Sequence, residues 1–599
     1  MCGVSGLFTP SAIQEFDHAL IDLMMKDLAH RGPDQEGRIE VNSSLILGSN
    51  RLSIVDQSGS KQPMQCACGS HFLVFNGEIF NSEQLREIIK YQYSSNGDTE
   101  TLLALLCING IDSLNEIRGQ FAFAFYSTTT DELTLGVDQF GIVPLYVLHS
   151  AGRILFSSSS RSLAKNFKLE LSEDFLRESL SKKGFLSGKS AYRSIERIPP
   201  GNTWTFSKTG VREKTWYNPN FDTSLPAAKN TEFASLLESA IVQATTADCE
   251  VGVFLSGGLD SAIVAHFAQK NLPYRLKAYT AIFPGAESHD DENYAKITAQ
   301  ELDLDHKLVP IEAQDWWDAL NLASRSSDGP LWEPADAAYF LLSKSASADL
   351  KVVLTGEGAD ELFGGYAKYK FETIVSMKWV REIFALAHYL IGPFLSPRLS
   401  RLLFALKSKS SLARFERYFA PYWPTDIKVC NIVTEYDTST SNTETLQDWD
   451  LQRYLPILLD RADQMSMANH LETRPVYLNR DVALYAFSLK PKQMYSLLHT
   501  KKPIKEAARK IVNKGIINSK KKGFPIPINT WFAGDLYLEI QKFFSSEGKR
   551  LHEFISMEDL MNVLESHKNN VKDYSQQIYH LLAVLVWLSS QERVKILKK

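Results

Sequence analysis

The sequence predicts two domains of different class: a sheet-rich α+β sandwich over residues 2–215, then a doubly wound α/β parallel sheet over residues 230–599 that passes into a helical C-terminal part. Three observations predict this. The chain has 599 residues, whereas a single hydrophobic core stops growing at ~250–300. Short apolar runs at 45–47, 72–75, 121–126, 133–137 and 153–157 are separated by Gly, Asn and Asp, the punctuation of short strands. From residue 231 onward, helical and strand patterns alternate, as they do in a parallel sheet covered by helices.

In the first domain, helical periodicity covers 16–28 and 99–108. A polar, Pro-bearing stretch at 217–229 reads as a linker. In the second domain the order is helix 232–246, strand 251–255, a Gly-rich turn, helix 261–269, strand 276–282, helix 293–302, strand 307–310 and strand 351–355. The remainder is helical by pattern. Proline is tolerated only in the first helical turn, so Pro503 sets a helix start near Lys502.

Composition excludes several function classes. The chain is 44% hydrophobic and 23% charged with a net charge of −5, and its one basic run is 520–522; neither a nucleic-acid nor a membrane partner is indicated. The most apolar later stretch, 383–399, is interrupted by His388, Pro393 and Pro397 and is too short for a membrane span. The N-terminus has no basic segment followed by an apolar one. Six cysteines (2, 66, 68, 107, 249 and 430) in so long a chain are not a disulfide framework. Cys66-Ala-Cys68 is tighter than the usual zinc-pair spacing, and no second Cys/His pair in the sequence answers it. The reading is a cytoplasmic protein.

Three motifs carry chemistry. Met1 is followed by Cys2. Removal of Met1 would give Cys2 both a thiol and an α-amine that titrates near pH ~8, nucleophile and base on one residue. Ser256-Gly-Gly-Leu-Asp-Ser261 lies where an apolar strand ends and a helix begins. Its glycines allow close backbone approach to a phosphate, and the helix N–H groups face the anion. It matches the pyrophosphate-binding loop of ATP pyrophosphatases, with Asp260 suited to Mg2+; no Walker A loop is present. Thr355-Gly-Glu-Gly-Ala-Asp-Glu-Leu-Phe-Gly-Gly-Tyr366 also follows an apolar strand, so both loops fall at the C-terminal edge of one sheet, where ligands bind.

With Met1–Phe8, His30-Arg-Gly-Pro-Asp34, Arg51-Leu-Ser-Ile-Val55, Asn76-Gly-Glu78, Gly97-Asp-Thr-Glu100 and the Asp138–Tyr146 block ahead of these loops, the chain resembles the glutamine-hydrolysing asparagine synthetase family over nearly its whole length. The resemblance implies an αββα N-terminal-nucleophile sandwich, that is, a class II glutamine amidotransferase domain, fused to an ATP-pyrophosphatase domain of the asparagine synthetase type. It implies that Cys2 attacks the glutamine amide, with Asn76 and the Gly77 N–H as oxyanion hole. Arg51, Leu52, Ser53, Ile54, Val55, Glu78 and Asp98 would line the glutamine site, Arg51 on the α-carboxylate and Asp98 on the α-ammonium. Phe254, Leu255, Ser256, Gly257, Gly258, Asp260, Ser261, Ile282, Thr355 and Gly356 would contact ATP, and Asp260 and Asp360 would hold Mg2+. Glu357, a tyrosine in the family's β-lactam-forming and cyclising members, would be the base for ammonia, and Lys501 would neutralise the leaving pyrophosphate. Ammonia would pass inside the protein to an acyl-adenylate. The acceptor implied is aspartate, giving asparagine, with a sugar acid, peptide or secondary-metabolite carboxylate as the alternative. Family members are often dimers, so a homodimer is an expectation. A non-catalytic relative is disfavoured because Cys2, Asp98, Asp260, Glu357 and Asp360 all remain.

The blocks Asp463–Arg474, similar to the family's helix and turn before the product pocket, and Lys522-Gly-Phe524 complete the match. The chain departs from the family at Val137 and Ser159, positions bearing on coupling between the domains, and at Pro475, Asn479 and Lys505, which bear on the acceptor. Trp332-Glu-Pro-Ala-Asp336 matches no strict aspartate-binding sequence.

Overall fold

The computed structural model describes residues 1–167, 169–181, 190–218, 230–286, 289–370, 446–519 and 526–591, with isolated positions between 371 and 445. The expected basic run 520–522, the block 522–524 and most of the expected linker and of 383–399 lie outside the described residues. Among the described residues no helix is long and apolar enough to cross a membrane.

Seventeen strands are described: β1 Gly3–Phe8, β2 Gln35–Asn42, β3 Leu45–Arg51, β4 Met64–Gln65, β5 His71–Ile79, β6 Gly119–Ser127, β7 Glu132–Val137, β8 Tyr146–Ser150, β9 Arg153–Ser157, β10 Ile195–Arg197, β11 Asn202–Ser207, β12 Gly210–Thr215, β13 Val251–Phe254, β14 Lys277–Ile282, β15 Asp305–Pro310, β16 Val352–Thr355 and β17 Glu472–Pro475. The first twelve make two six-stranded sheets, ordered β10-β8-β9-β1-β3-β2 and β12-β11-β7-β6-β5-β4. Every strand pair in both is antiparallel.

Side-chain alternation along β5 shows why these sheets stack. Phe72 and Val74 enter the core shared with Val4, Leu45 and Leu47 of the facing sheet. Leu73 and Phe75 point the other way, onto Leu102, Leu103 and Leu106 of the helix Asp98–Asn109. The period of two thus sends one face to the inter-sheet core and the other to a covering helix. On the opposite side Ile21, Met24 and Met25 of the helix Glu15–Leu28 pack on Leu7 and Ile46. The layers are helix, sheet, sheet, helix.

The third sheet is ordered β15-β14-β13-β16-β17 and all its pairs are parallel. The chain runs outward from β13 through β14 to β15, then returns to place β16 on the other side of β13. The topological switch point therefore lies between β13 and β16, the crevice where such sheets bind ligands. β17 was not foreseen: the block 463–474 read as helix and turn. It forms the helix Leu455–Met467 and then a strand whose Arg474 pairs with Leu354. Glu-Thr-Arg-Pro carries no apolar alternation, so only the tertiary partner β16 defines it. β1 is inserted between β3 and β9, and its Gly and Ser residues dilute its strand signal. Apart from β17 and short turns, the described residues beyond 446 are helical, and the helix at Pro503 begins at Lys502.

Buried charge crosses the seam between the domains. Arg474, with no exposed surface, holds Glu472 Oε1 at 2.7 Å and Glu78 Oε2 at 2.9 Å, and donates to the carbonyls of Ala244 and Thr246. Arg31 makes a two-pronged pair with Asp463 at 2.6 and 2.9 Å, and Arg197 reaches Asp460 at 2.9 Å. Breaking a buried pair strands the remaining charge. Arg474→Met should therefore lower stability by about 3–5 kcal/mol, read as a large drop in the urea midpoint. A change within measurement error would contradict this packing.

Candidate active sites

Cys2 lies just before β1, buried, and is held at both ends of its backbone. Its N–H donates to Asn76 Oδ1, and its carbonyl accepts from Arg31 Nε at 3.2 Å. Burial pushes its thiol up from the ordinary value. The N-terminal ammonium, the Leu52 N–H and the Arg51 guanidinium work against that rise. Asn76 is fully buried, yet its Nδ2 has no hydrogen-bond partner. A buried orphan donor is rare, and beside Cys2 it is a candidate oxyanion donor. Gly77 has φ +145, and a Cβ there would fall 2.0 Å from the Gln120 carbonyl oxygen, so only glycine lets β5 run past β6 at this point.

Asp98 opens the helix Asp98–Asn109 and accepts the Ile79 N–H at 3.0 Å. Burial pushes its carboxyl up to about 6, against the Ile79 hydrogen bond and with help from the charge of Glu472. Burial, then the nearby Asp98, push Glu78 well above the carboxylate range in spite of Arg474. Glu472 goes the other way: the N-terminal ammonium of Met1 and Arg474 outweigh its burial and hold it low.

Arg51, expected on a glutamine carboxylate, donates to the carbonyls of Val55 at 2.7 Å, Asp56 at 2.9 Å and Gln57 at 3.1 Å, shaping the turn formed by Leu52, Ser53, Ile54 and Val55. A ligand carboxylate there would have to share the guanidinium with these carbonyls. The turn is pinned from the second domain. Asp34 accepts both the Ser53 N–H at 2.8 Å and Lys351 Nζ at 2.6 Å, and the Ile54 carbonyl accepts the Asp248 N–H at 3.0 Å.

At the switch point, Phe254 ends β13 with its ring edge-on to Tyr339, and Ile282 ends β14. Leu255, Ser256, Gly257 and Gly258 form the turn into the helix Leu259–Asn271. Gly257 has φ +74, and a Cβ would meet the Asp291 carbonyl oxygen at 2.0 Å. Ser261 Oγ closes the loop, lying 3.1 Å from Ser256 Oγ and donating to the Gly258 carbonyl at 3.1 Å. Thr355 ends β16, Gly356 follows, and Thr355 Oγ1 donates to Glu357 at 3.3 Å.

Lys501 joins the two loops: its Nζ is 2.5 Å from Asp260 Oδ2 and 2.6 Å from Asp360 Oδ1. Asp260 Oδ1 is buried without a hydrogen-bond partner. Two carboxylates, one with an unused buried oxygen, suit a hard cation, so the residues fit Mg2+. Lys505 is next in this cluster; burial, Lys370 and Lys501 lower its pKa while Asp260 opposes them.

Glu357 is paired with Arg461 at 3.0 Å. Arg31 lies in the block 30–34, and Asp463, Glu472 and Arg474 lie in the block 463–474, but neither block shows their pairings, and Arg461 lies outside both, because the partners are remote in the chain. The departures find local explanations. Ser159 Oγ donates to Asp328 Oδ1 at 2.7 Å, so it bridges the domains itself. Val137 is a core residue of β7. Asn479 accepts the Asp481 N–H at 2.9 Å as N-cap of the helix Arg480–Phe487, a task at which Asn and Asp are equals. Pro475 sits at the end of the edge strand β17 opposite Thr355, where its missing N–H is tolerated.

An antiparallel sandwich with a buried cysteine at its N-terminus, joined to a parallel sheet with a phosphate-type loop at its switch point, defines an amidotransferase-type ligase. The asparagine synthase family profile matches residues 232–589, and that of the glutamine amidotransferase domain matches residues 1–217. The chain belongs to the asparagine synthase family. It is 28% identical to "Asparagine synthetase [glutamine-hydrolyzing] 1" of Bacillus subtilis, covering 98% of this chain and 96% of that protein. It is 24% identical to "Amidase chyE" of Penicillium rubens over 91% and 92% of the two chains, and 28% identical to "Asparagine synthetase B [glutamine-hydrolyzing]" of Escherichia coli over 61% and 65%.

Two outcomes follow from the geometry around Cys2. Asn76→Ala should lower the glutaminase kcat by roughly 10²–10³-fold with the fold intact; an unchanged kcat would remove Asn76 from the oxyanion site. If Asp98 binds a ligand ammonium, it must be ionised, so protonation below pH of about 6 should raise the KM for glutamine. In Asp98→Asn that acid limb should vanish at a uniformly high KM, measured as a pH profile of glutamate release.

Proposed function

We propose that residues 2–215 hydrolyse glutamine, that residues 230–599 adenylate a carboxylate with ATP, and that ammonia passes between them to form an amide in the cytoplasm. The observation that carries this reading is the pairing around the helix Leu455–Met467. Its Asp463 holds Arg31, which holds the Cys2 carbonyl, and its Arg461 holds Glu357 beside the switch-point loops.

On this reading Met1 is removed and the Cys2 nitrogen, already on Asn76 Oδ1, becomes the α-amine that takes the thiol proton. The thiolate attacks the glutamine side-chain carbonyl. Asn76 and Gly77 stabilise the oxyanion, ammonia leaves, and water hydrolyses the thioester to glutamate. The Arg51-shaped turn and Asp98 orient the amino acid. In the second domain a carboxylate oxygen of the acceptor attacks the α-phosphorus of ATP, pyrophosphate leaves, and ammonia displaces AMP from the acyl-adenylate. Asp260 and Asp360 would hold Mg2+, which supplies charge neutralisation to the phosphates. Lys501, placed between both carboxylates, adds a cation for the departing pyrophosphate. Glu357 receives the proton of the attacking ammonia.

Aspartate is the acceptor we favour. Arg461 offers one guanidinium to a carboxylate, and Glu357 with Asp336, whose charge acts on Arg461, offers acids to an α-ammonium. A different carboxylate, from a sugar acid, a peptide or a secondary-metabolite precursor, is the second reading, favoured by the likeness to proteins named amidases, such as that of Penicillium rubens.

The test is to incubate purified protein with ATP, Mg2+, glutamine and aspartate and to assay AMP, pyrophosphate, glutamate and asparagine together. Asparagine rising in step with AMP is the expected result. Glutamate release without aspartate-dependent AMP would transfer the chemistry to another carboxylate. In Cys2→Ala, glutamine-supported synthesis should fall roughly 10⁴-fold or more, with synthesis from ammonium salts intact; loss of both would contradict separate sites.

A further inference from the structure

A second cluster of reactive side chains lies outside both sites. Cys66, Cys68, His71 and Cys107 bring their ligating atoms within 4.8 Å of one another. We propose that these four residues form a tetrahedral zinc site that staples the β4–β5 hairpin to the helix Asp98–Asn109.

The spacing is that of a coordination shell. His71 Nδ1 lies 3.2 Å from Cys107 Sγ, 3.4 Å from Cys68 Sγ and 3.7 Å from Cys66 Sγ, and the Cys68 and Cys107 sulfurs are 3.6 Å apart. Zinc bonds of ~2.3 Å to sulfur and ~2.0 Å to nitrogen require tetrahedral edges of about 3.5–3.8 Å. A cluster of two irons would hold ligands on opposite irons farther apart than these. Three thiolates and an imidazole select zinc among the common divalent ions, and four protein ligands leave no open position, so the site is structural.

The surroundings are organised for it. Cys66 N–H donates to the His71 carbonyl at 3.0 Å and Gly69 N–H to the Cys66 carbonyl at 2.9 Å, closing a tight turn around the first three ligands. The His71 N–H donates to Cys66 Sγ at 3.2 Å, the outer hydrogen bond that steadies a metal-bound thiolate. The His71 ring is stacked on Phe125, with centroids 5.2 Å apart and planes 9° apart, which fixes Nδ1 toward the three sulfurs. The fourth ligand comes from the last turn of the helix whose first residue is Asp98. The site and the glutamine pocket therefore lie at opposite ends of the same two elements. Five residues along β5 separate His71 from Asn76, about 17 Å, and nine along the helix separate Cys107 from Asp98, about 13 Å. Sequence spacing hid the site because Cys107 is remote from the Cys-Ala-Cys segment and only the fold joins them.

The full-length chain should be expressed in zinc-supplemented medium, purified under reducing conditions and analysed for metal by mass spectrometry. The expected result is one zinc per chain, lost in Cys68→Ser/Cys107→Ser and kept in Cys249→Ser. Because the double variant could fail to fold, the unmutated protein is also stripped with a chelator and titrated with Co2+, which should give the visible bands of a tetrahedral cobalt thiolate and restore the thermal midpoint. Native protein without metal and without that cobalt spectrum, or with a Cys68–Cys107 disulfide in its place, would overturn the proposal, as would zinc retained by a folded double variant.

Discussion

Arg474 is the residue around which the two domains are built. Its guanidinium is wholly enclosed and satisfied by one carboxylate from each domain and two helix-end carbonyls. An enclosed charge without such partners costs several kcal/mol even after relaxation. The interface is therefore specified: Glu78 must lie beside β17, and β17 beside β16. That condition fixes Asn76 and Gly77, neighbours of Glu78 on β5, relative to the sheet that carries the ATP-type loops. The unlike behaviour of the two glutamates follows. With Met1 in place, Glu472 has the N-terminal ammonium and Arg474 against its burial and is held low, whereas burial and the nearby Asp98 raise Glu78 in spite of Arg474.

The helix Leu455–Met467 extends this logic. Asp460 and Asp463 accept arginines from the first domain, Arg461 turns to Glu357, and Gln464 accepts the Ser327 hydroxyl and the Asp328 N–H. Asp328 in turn receives Ser159, Ser160 and the Arg161 N–H. One helix thus reaches the Cys2 carbonyl through Arg31 and Glu357 through Arg461. A change at either site has a short, packed route to the other.

The local signals were legible and the remote ones were not. Cys2, the Ser256–Ser261 loop and the Thr355–Tyr366 loop are read from contiguous residues, since turn glycines and strand-to-helix junctions are local physics. The strands over 72–75 and 121–126 and the helices over 16–28 and 99–108 follow from periodicity and match the observed elements closely. β17 and the arginine–aspartate seam depend on partners more than a hundred residues away, which no window of sequence contains. For Arg51 the resemblance implies a carboxylate ligand, and the contacts of its guanidinium with the carbonyls of residues 55–57 become visible only in the fold. Ser159 and Asn479 read as departures and prove to be alternative solutions, a hydroxyl bridge and an equivalent helix cap.

The central claim is that the seam couples the two chemistries, and it is tested most directly by the ratio of glutamate released to AMP formed in native protein and in Asp463→Asn. The account predicts a ratio near one in the native enzyme with its acceptor present. It predicts a marked rise in the variant, as Arg31 loses its charged partner and glutamine is hydrolysed without synthesis. A ratio that stays the same in a folded Asp463→Asn would contradict it.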